Sequence, residues 1–331
     1  RLRLFRWGFE SSIALKNLVL DFLGILFGVL LLSHGGDLLT KSSVDISLKF
    51  SVPKIVIGMT IVSFATSAPE LIVSLNATLN GLPNFAIGNV LGSNIANIGF
   101  VLGIIVIIYP ITLKQRFYNT DFPLLIISTL LFYLIIFTNN KISSLEGLIL
   151  IISIILILLY LFIYQKKSIS EFTDQTYLKK ITLYKSLLYI IFSGLLLWLG
   201  SETLIKSAVS VANKFNISER VISITMVAIG TSLPELAASV VASFKKQNDL
   251  SIGNLIGSNI FNLLVVIGIT SSIIPISGIE NSTIYNDMVW VLLFSVIILP
   301  LAIIGKKNVL TRKKGIILLA LYLIFIIPLL I

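Results

Sequence analysis

The 331-residue chain is 56% hydrophobic and 12% charged, with a mean hydropathy of +1.02; soluble domains carry about 25% charged residues, so a soluble globular fold is excluded. Apolar runs of about 20 residues recur along the whole length, the mark of a polytopic helical membrane protein. The absence of cysteine removes disulfides, thiolate metal sites and cysteine nucleophiles, and the formal charge of +10 sits in short loops between apolar runs, as topology-setting charge rather than a nucleic-acid surface.

Ten spans are predicted in chain order, at 18–40, 53–79, 85–109, 121–137, 145–164, 183–206, 218–244, 250–274, 287–304 and 314–331. They divide the chain into a basic N-terminal segment (1–17), a first five-span repeat (18–164), a cytoplasmic linker (165–182) and a second five-span repeat (183–331). The first span carries Gly24 and Gly28 at GxxxG spacing and then Gly35 and Gly36; the sixth carries Ser193, Gly194, Gly200 and Ser201. Small residues let helix backbones approach closely in lipid. Asp37 and Lys41 lie four apart, as do Glu202 and Lys206, and an i,i+4 ion pair near a span end accounts for each. His34 is the single histidine; without a histidine or cysteine partner it reads as a packing or interfacial group.

The second and third spans hold Thr66-Ser67-Ala68-Pro69-Glu70 and Gly88-Asn89-Val90-Leu91-Gly92-Ser93-Asn94-Ile95-Ala96-Asn97. The seventh and eighth hold Thr231-Ser232-Leu233-Pro234-Glu235 and Gly253-Asn254-Leu255-Ile256-Gly257-Ser258-Asn259-Ile260-Phe261-Asn262. Each position lies 165 residues from its counterpart, and about 20 of 47 positions agree between 57–103 and 222–268, which makes this an internal duplication. Five spans per copy is an odd number, so the second copy enters the membrane from the opposite side and the repeats are inverted. With both termini outside, the inner loops and span ends hold 16 lysines and arginines against 7 outside, which favours that orientation; the basic N-terminal tail argues the other way.

Glu70 and Glu235 lie well inside their spans, where a carboxylate costs at least about 2.5 kcal/mol and is a functional candidate by default. Ser67 to Glu70 and Ser232 to Glu235 also read as capping boxes with proline in the first turn, so each span can break and restart there. A break frees carbonyls, and irregular backbone at membrane depth is tolerated where it lines a cavity. Asn89, Ser93 and Asn97 form one polar stripe on a helix, repeated by Asn254, Ser258 and Asn262; polar glue between helices is the plainer reading of both. Two carboxylates, hydroxyls, amides and freed carbonyls are all hard oxygen donors, suited to Ca2+ and Na+. Two carboxylates balance one divalent ion, and something positive must replace it when it leaves. Duplication, inversion and this charge arithmetic together suggest an antiporter.

On these paired signatures the chain resembles the calcium/cation antiporter superfamily, and most of all its sodium/calcium exchanger branch. The resemblance implies an all-α membrane fold of ten helices in two inverted five-helix repeats, with broken helices at the ion site. It implies that Glu70 and Glu235 hold calcium with the main-chain carbonyls of Thr66 and Thr231. Ser67, Ser93, Ser232 and the carbonyl of Ala228 would line one sodium site, and Ser258, Ser67 and the carbonyl of Ser63 the other. Asn97 and Asn262 would face the position between the glutamates, and the first and sixth spans would slide together over the other eight. Some similar microbial exchangers carry aspartate where Asn262 stands, and potassium-dependent exchangers favour aspartate in this motif. The asparagine pair therefore speaks against potassium co-transport.

The expected function is electrogenic Na+/Ca2+ exchange at the plasma or inner membrane, with Ca2+, Na+ and the lipid bilayer as partners and with no cofactor and no covalent catalysis. A proton-driven calcium antiporter is the alternative, because two close carboxylates titrate as a coupled pair. A channel and an intramembrane enzyme are further rivals. The first is answered by saturable exchange that needs a counter-ion, the second by the lack of a serine–histidine pair or of paired membrane aspartates.

Overall fold

The structure is a computed structural model that describes residues 2–164, 182–215, 230–281 and 283–330. Ten helices are present among them. In order these are α1 (Leu2–Phe50), α2 (Lys54–Leu79), α3 (Pro83–Ile108), α4 (Phe117–Phe137), α5 (Ser144–Tyr164), α6 (Leu183–Lys214), α7 (Leu233–Phe244), α8 (Asn248–Ile273), α9 (Thr283–Ile303) and α10 (Arg312–Leu330). Eight stretches within these are long and apolar enough to cross a bilayer. The first helix runs well past the predicted 18–40 at both ends and stops only at Ser51, whose backbone turns left-handed ahead of Pro53. The linker, except Thr182, and the first half of the predicted seventh span (218–229, including Ala228) lie outside the described residues.

The duplication is visible in the backbone. Gly81 (φ +74) closes the turn between α2 and α3, and Lys246 (φ 59), its counterpart 165 residues on, closes the turn between α7 and α8 in the same left-handed conformation. Glycine adopts it freely; lysine does so at a cost of about 1–2 kcal/mol. A two-stranded sheet pairs β1 (Ile111–Thr112) with β2 (Val309–Leu310), and its counterpart is a bridge between Ile142 and Ile276. Each ties the loop after the third helix of one repeat to the loop before the fifth helix of the other.

Several helix crossings rest on backbone contact, and two of them bear on the centre. A Cβ at Gly28 would stand 2.8 Å from the Gly200 carbonyl oxygen, and one at Gly200 would stand 3.0 Å from that of Gly28, so α1 and α6 run against each other with no side chain between them. On α8, a Cβ at Gly257 would stand 2.5 Å from Cα of Met59 and 2.7 Å from its carbonyl oxygen. The close approach to α2 places the α8 polar stripe beside the α2 signature. A Cβ at Gly88 or Gly92 on α3 would meet no heavy atom within 4 Å among the described residues beyond the adjoining turns of its own helix.

Helices α2, α3 and α8 are largely buried, while α1, α5 and α6 turn most of their apolar surface outward, as lipid-facing helices do. The centre between α2, α3, α7 and α8 is unusually polar: Thr66, Ser67, Glu70, Asn89, Ser93, Asn94 and Asn97 are buried, and so are Ser232, Glu235, Asn254, Ser258, Asn259 and Asn262.

Candidate ion-binding site

The two copies of the Pro-Glu signature carry the interruption differently. Helix α7 starts at Leu233, with Ser232 in the N-cap position and Pro234 in its first turn. Pro234 has no N–H for the carbonyl of Gly230, and the Ser201 hydroxyl on α6 donates to that carbonyl at 2.9 Å instead. In α2 the helix continues through Pro69, which leaves the Ala65 carbonyl without its helical donor. A π-helical stretch at Gly58–Val62 lies about two to three turns before Pro69, and its counterpart, 223–227, falls outside the described residues. Neither serine caps its helix: Ser232 makes no side-chain cap bond, and Ser67 lies in mid-helix. The capping-box reading therefore fails in both copies.

Ser67 instead donates to Oε1 of Glu235 across the repeats, at 3.1 Å. The remaining hydroxyls pair in a two-fold pattern. Thr66 Oγ1 lies 3.4 Å from Ser258 Oγ, and Thr231 Oγ1, its counterpart, lies 2.9 Å from Ser93 Oγ, the counterpart of Ser258. Asn89 donates to Ser74 at 3.0 Å and Asn254 to Ser239 at 2.9 Å. Ser63 binds the Gly58 and Asn254 carbonyls through its hydroxyl (2.7 and 3.0 Å), while its own carbonyl accepts from Thr66 at 3.3 Å.

Several buried oxygens have no hydrogen-bond partner among the described residues: both carboxylate oxygens of Glu70, Oε2 of Glu235, Oδ1 of Asn97 and Asn262, and Oγ of Ser232. Such orphaned acceptors are costly unless something positive meets them. Among the described residues no group of three histidine, cysteine or acidic side chains gathers as a metal cluster. The centre is thus two carboxylates in a shell of neutral oxygens.

A cleft of about 200 Å³ leads to Thr231 from the face of the molecule that bears the Gly81 turn. Its walls are Pro69 and Val73 of α2, Phe85 and Asn89 of α3, and Trp198 and Glu202 of α6. On the opposite face α1 is seated on α7: a Cβ at Gly36 would stand 3.1 Å from the Ala237 carbonyl oxygen, and Lys245 forms an ion pair with Asp37.

The sodium/calcium exchanger protein family matches residues 20–163 and 185–330. The chain belongs to the sodium/calcium exchanger family. It is 33% identical to the putative antiporter CaxA of Alkalimonas amylolytica over 89% of this chain and 94% of that one. It is 27% identical to the sodium/calcium exchanger MaX1 of Methanosarcina acetivorans, over 94% and 99%. The solved structure of the sodium/calcium exchanger from Methanococcus jannaschii superposes with a TM-score of 0.78 at 29% identity, covering 94% of this chain and 98% of that one. The fold is therefore that of a ten-helix exchanger with inverted repeats, a multi-pass membrane transporter.

In this exchanger the sequence-derived site residues largely meet. Glu70, Glu235, Thr66, Ser67, Ser93, Thr231, Ser258, Asn97 and Asn262 converge between α2, α3, α7 and α8, while Ala228 lies outside the described residues. Ser232 does not reach Glu70 as Ser67 reaches Glu235, so the two halves are unlike at this point. Sequence reasoning passed over Asn94 and Asn259. Both sit inside the duplicated signature, and their identity at matched positions was the available signal. Among the described residues the His34 ring hydrogen-bonds to the Leu30 carbonyl, at 2.9 Å on an exposed helix face. The two i,i+4 pairs also form, Asp37 with Lys41 at 2.7 Å and Glu202 with Lys206 at 2.9 Å.

Proposed function

We propose that this exchanger exports Ca2+ in return for Na+ inflow by alternating access around Glu70 and Glu235. The observation that carries the reading is the pair of fully buried glutamates, one from each repeat, with three of their four carboxylate oxygens unpartnered among the described residues. Two carboxylates neutralise one Ca2+ or two Na+, so the same cluster serves both ions in turn. Glu70 and Glu235 hold Ca2+ with the carbonyls of Thr66 and Thr231. Ser67, Ser93, Ser232 and the carbonyl of Ala228 serve one Na+; Ser258, Ser67 and the carbonyl of Ser63 serve the other. Asn97 and Asn262 bring neutral oxygens to the centre.

Net charge crosses the membrane when more than two Na+ accompany each Ca2+, and the membrane potential then assists export by about 2.3 kcal/mol per charge per 100 mV. The cleft on the Gly81 face is the ion path in this state, and α1 seated on α7 closes the other. With both termini outside, as the loop charges favour, the open face is the outer one. The units 18–164 and 183–331 act as the two inverted halves, joined by a cytoplasmic linker at 165–182.

Calcium uptake into proteoliposomes loaded with Na+, beside vesicles loaded with K+ or given only a pH gradient, tests this reading. Uptake driven by internal Na+ alone is expected. Equal uptake under the pH gradient would move the protein to proton-coupled exchange.

A further inference from the structure

We infer that Asn94 and Asn259 are positioning residues that fix which end of the Asn262 and Asn97 side chains faces the transported ion. This inference rests on the reading of Asn97 and Asn262 as ion ligands.

The four asparagines lie where the repeats meet, all buried. Asn94 Nδ2 donates to the main-chain carbonyl of Asn259 at 3.2 Å, and Asn259 Nδ2 donates to that of Asn94 at 3.1 Å. Asn262 Nδ2 donates to Asn94 Oδ1 at 3.0 Å, and Asn97 Nδ2 to Asn259 Oδ1 at 3.0 Å. An amide side chain seen by shape alone can be turned end for end, but here the chemistry decides. A main-chain carbonyl only accepts, so Asn94 and Asn259 must each turn Nδ2 toward it. Their Oδ1 atoms then only accept, so Asn262 and Asn97 must turn Nδ2 toward them. That leaves Oδ1 of Asn97 and of Asn262 buried and without a partner among the described residues. Two carbonyls at the pseudo-axis thus dictate that the outermost asparagines offer oxygen rather than N–H.

The wiring is crossed. Asn94 orients Asn262 and Asn259 orients Asn97, although Asn94 and Asn97 share a helix. Removing the Asn94 side chain leaves Asn259 still anchored on the Asn94 main chain, so Asn97 keeps its orientation.

The test is Na+-driven Ca2+ uptake in proteoliposomes by full-length Asn94→Leu, Asn262→Ala and Asn97→Ala, with the doubles Asn94→Leu/Asn262→Ala and Asn94→Leu/Asn97→Ala. Losing an orienting partner typically weakens a metal site about tenfold to a hundredfold, and the half-saturating Ca2+ concentration of Asn94→Leu is expected to rise by that factor. Combined with Asn262→Ala it should add little, whereas with Asn97→Ala the two effects should multiply. The mirror variant Asn259→Leu, expected to couple to Asn97 instead, carries the test should Asn94→Leu fail to fold. Unchanged half-saturation in the Leu variants, or effects that multiply in both doubles, would overturn the positioning role alone. A normal Asn262→Ala would remove the underlying ligand reading and this inference with it.

Discussion

Lys245, at the end of α7, holds the carboxylate of Asp37 on α1 and also reaches the Asp37 main-chain carbonyl at 3.3 Å. The counterpart of Asp37 is Glu202, and the counterpart of Lys245 is Asn80. Glu202 lines the open cleft and pairs with Lys206, while the Asn80 amide turns back to Asn76. The cross-helix ion pair therefore exists on the closed face and has no equivalent on the open one. Partly exposed pairs contribute about 0.2–1 kcal/mol, so Lys245→Gln should shift the balance of the two access states by up to about fivefold. Phe85 in the cleft wall and its buried counterpart Leu250 provide reporters, because the chain has no cysteine of its own. On Lys245→Gln, labelling of Phe85→Cys by an impermeant thiol reagent should fall and labelling of Leu250→Cys from the other side should rise. An unchanged ratio would show that the pair does not bias access.

Glu70→Gln and Glu235→Gln should each abolish Ca2+ exchange and leave the protein folded. One unit charge acting at about 4 Å contributes about 4 kcal/mol at an effective dielectric of 20, roughly a thousandfold in affinity. Size-exclusion profile and thermal unfolding check the fold; wild-type transport by either variant would remove the glutamates from the site.

Ser67→Ala and Ser232→Ala should differ in detergent-solubilised protein, although the residues are duplicates. Ser67 donates to Glu235, whereas Ser232 has no partner among the described residues. An intramolecular hydrogen bond contributes about 0.5–1.5 kcal/mol, so Ser67→Ala should lower ion-free thermal stability and Ser232→Ala should leave it nearly unchanged. Equal shifts would argue against the asymmetry.

Gly257→Ala should destabilise the fold, since its methyl would press on the Met59 backbone, which cannot rotate away. Overpacking of this kind costs about 1–3 kcal/mol, readable as a lower Tm of the purified protein. An unchanged Tm would mean that α2 and α8 separate without penalty.

Asn262→Asp replaces the donor to Asn94 and adds a titratable carboxyl to the centre. Its Ca2+ uptake should become steeply pH-dependent, falling toward acid as the carboxyl protonates, a larger change than any in folding. A pH profile matching that of the unaltered protein would place Asn262 away from the ions.

Much of this was legible from residue order alone. The 165-residue offset gave the inverted repeat, and the polar stripes gave the central face of α3 and α8, because helical spacing maps directly onto one side of a helix. The capping boxes misled, because Ser67 is met by Glu235 of the facing repeat rather than by its own helix end, and no sequence window contains that contact. Asn94 and Asn259 were passed over for a related reason: their role lies in which atom of an amide meets a carbonyl on the other repeat. Asp121, fully buried and met by Arg116 at 3.2 Å, likewise sits where span prediction saw only a helix start.

The unlike pair at the centre, Ser67 bound to Glu235 and Ser232 apart from Glu70, reaches beyond this one state. Under the proposed alternating access, two copies of one sequence held in two arrangements amount to a blueprint for the second conformer. Assigning each copy the arrangement of the other yields its contacts: Ser232 on Glu70, Glu202 against Asn80, Asp37 released from Lys245, and a cleft opening beside Leu250. Spectroscopic distance restraints at those four places, collected under ion conditions that favour the opposite side, would be compared against an arrangement already written in the chain.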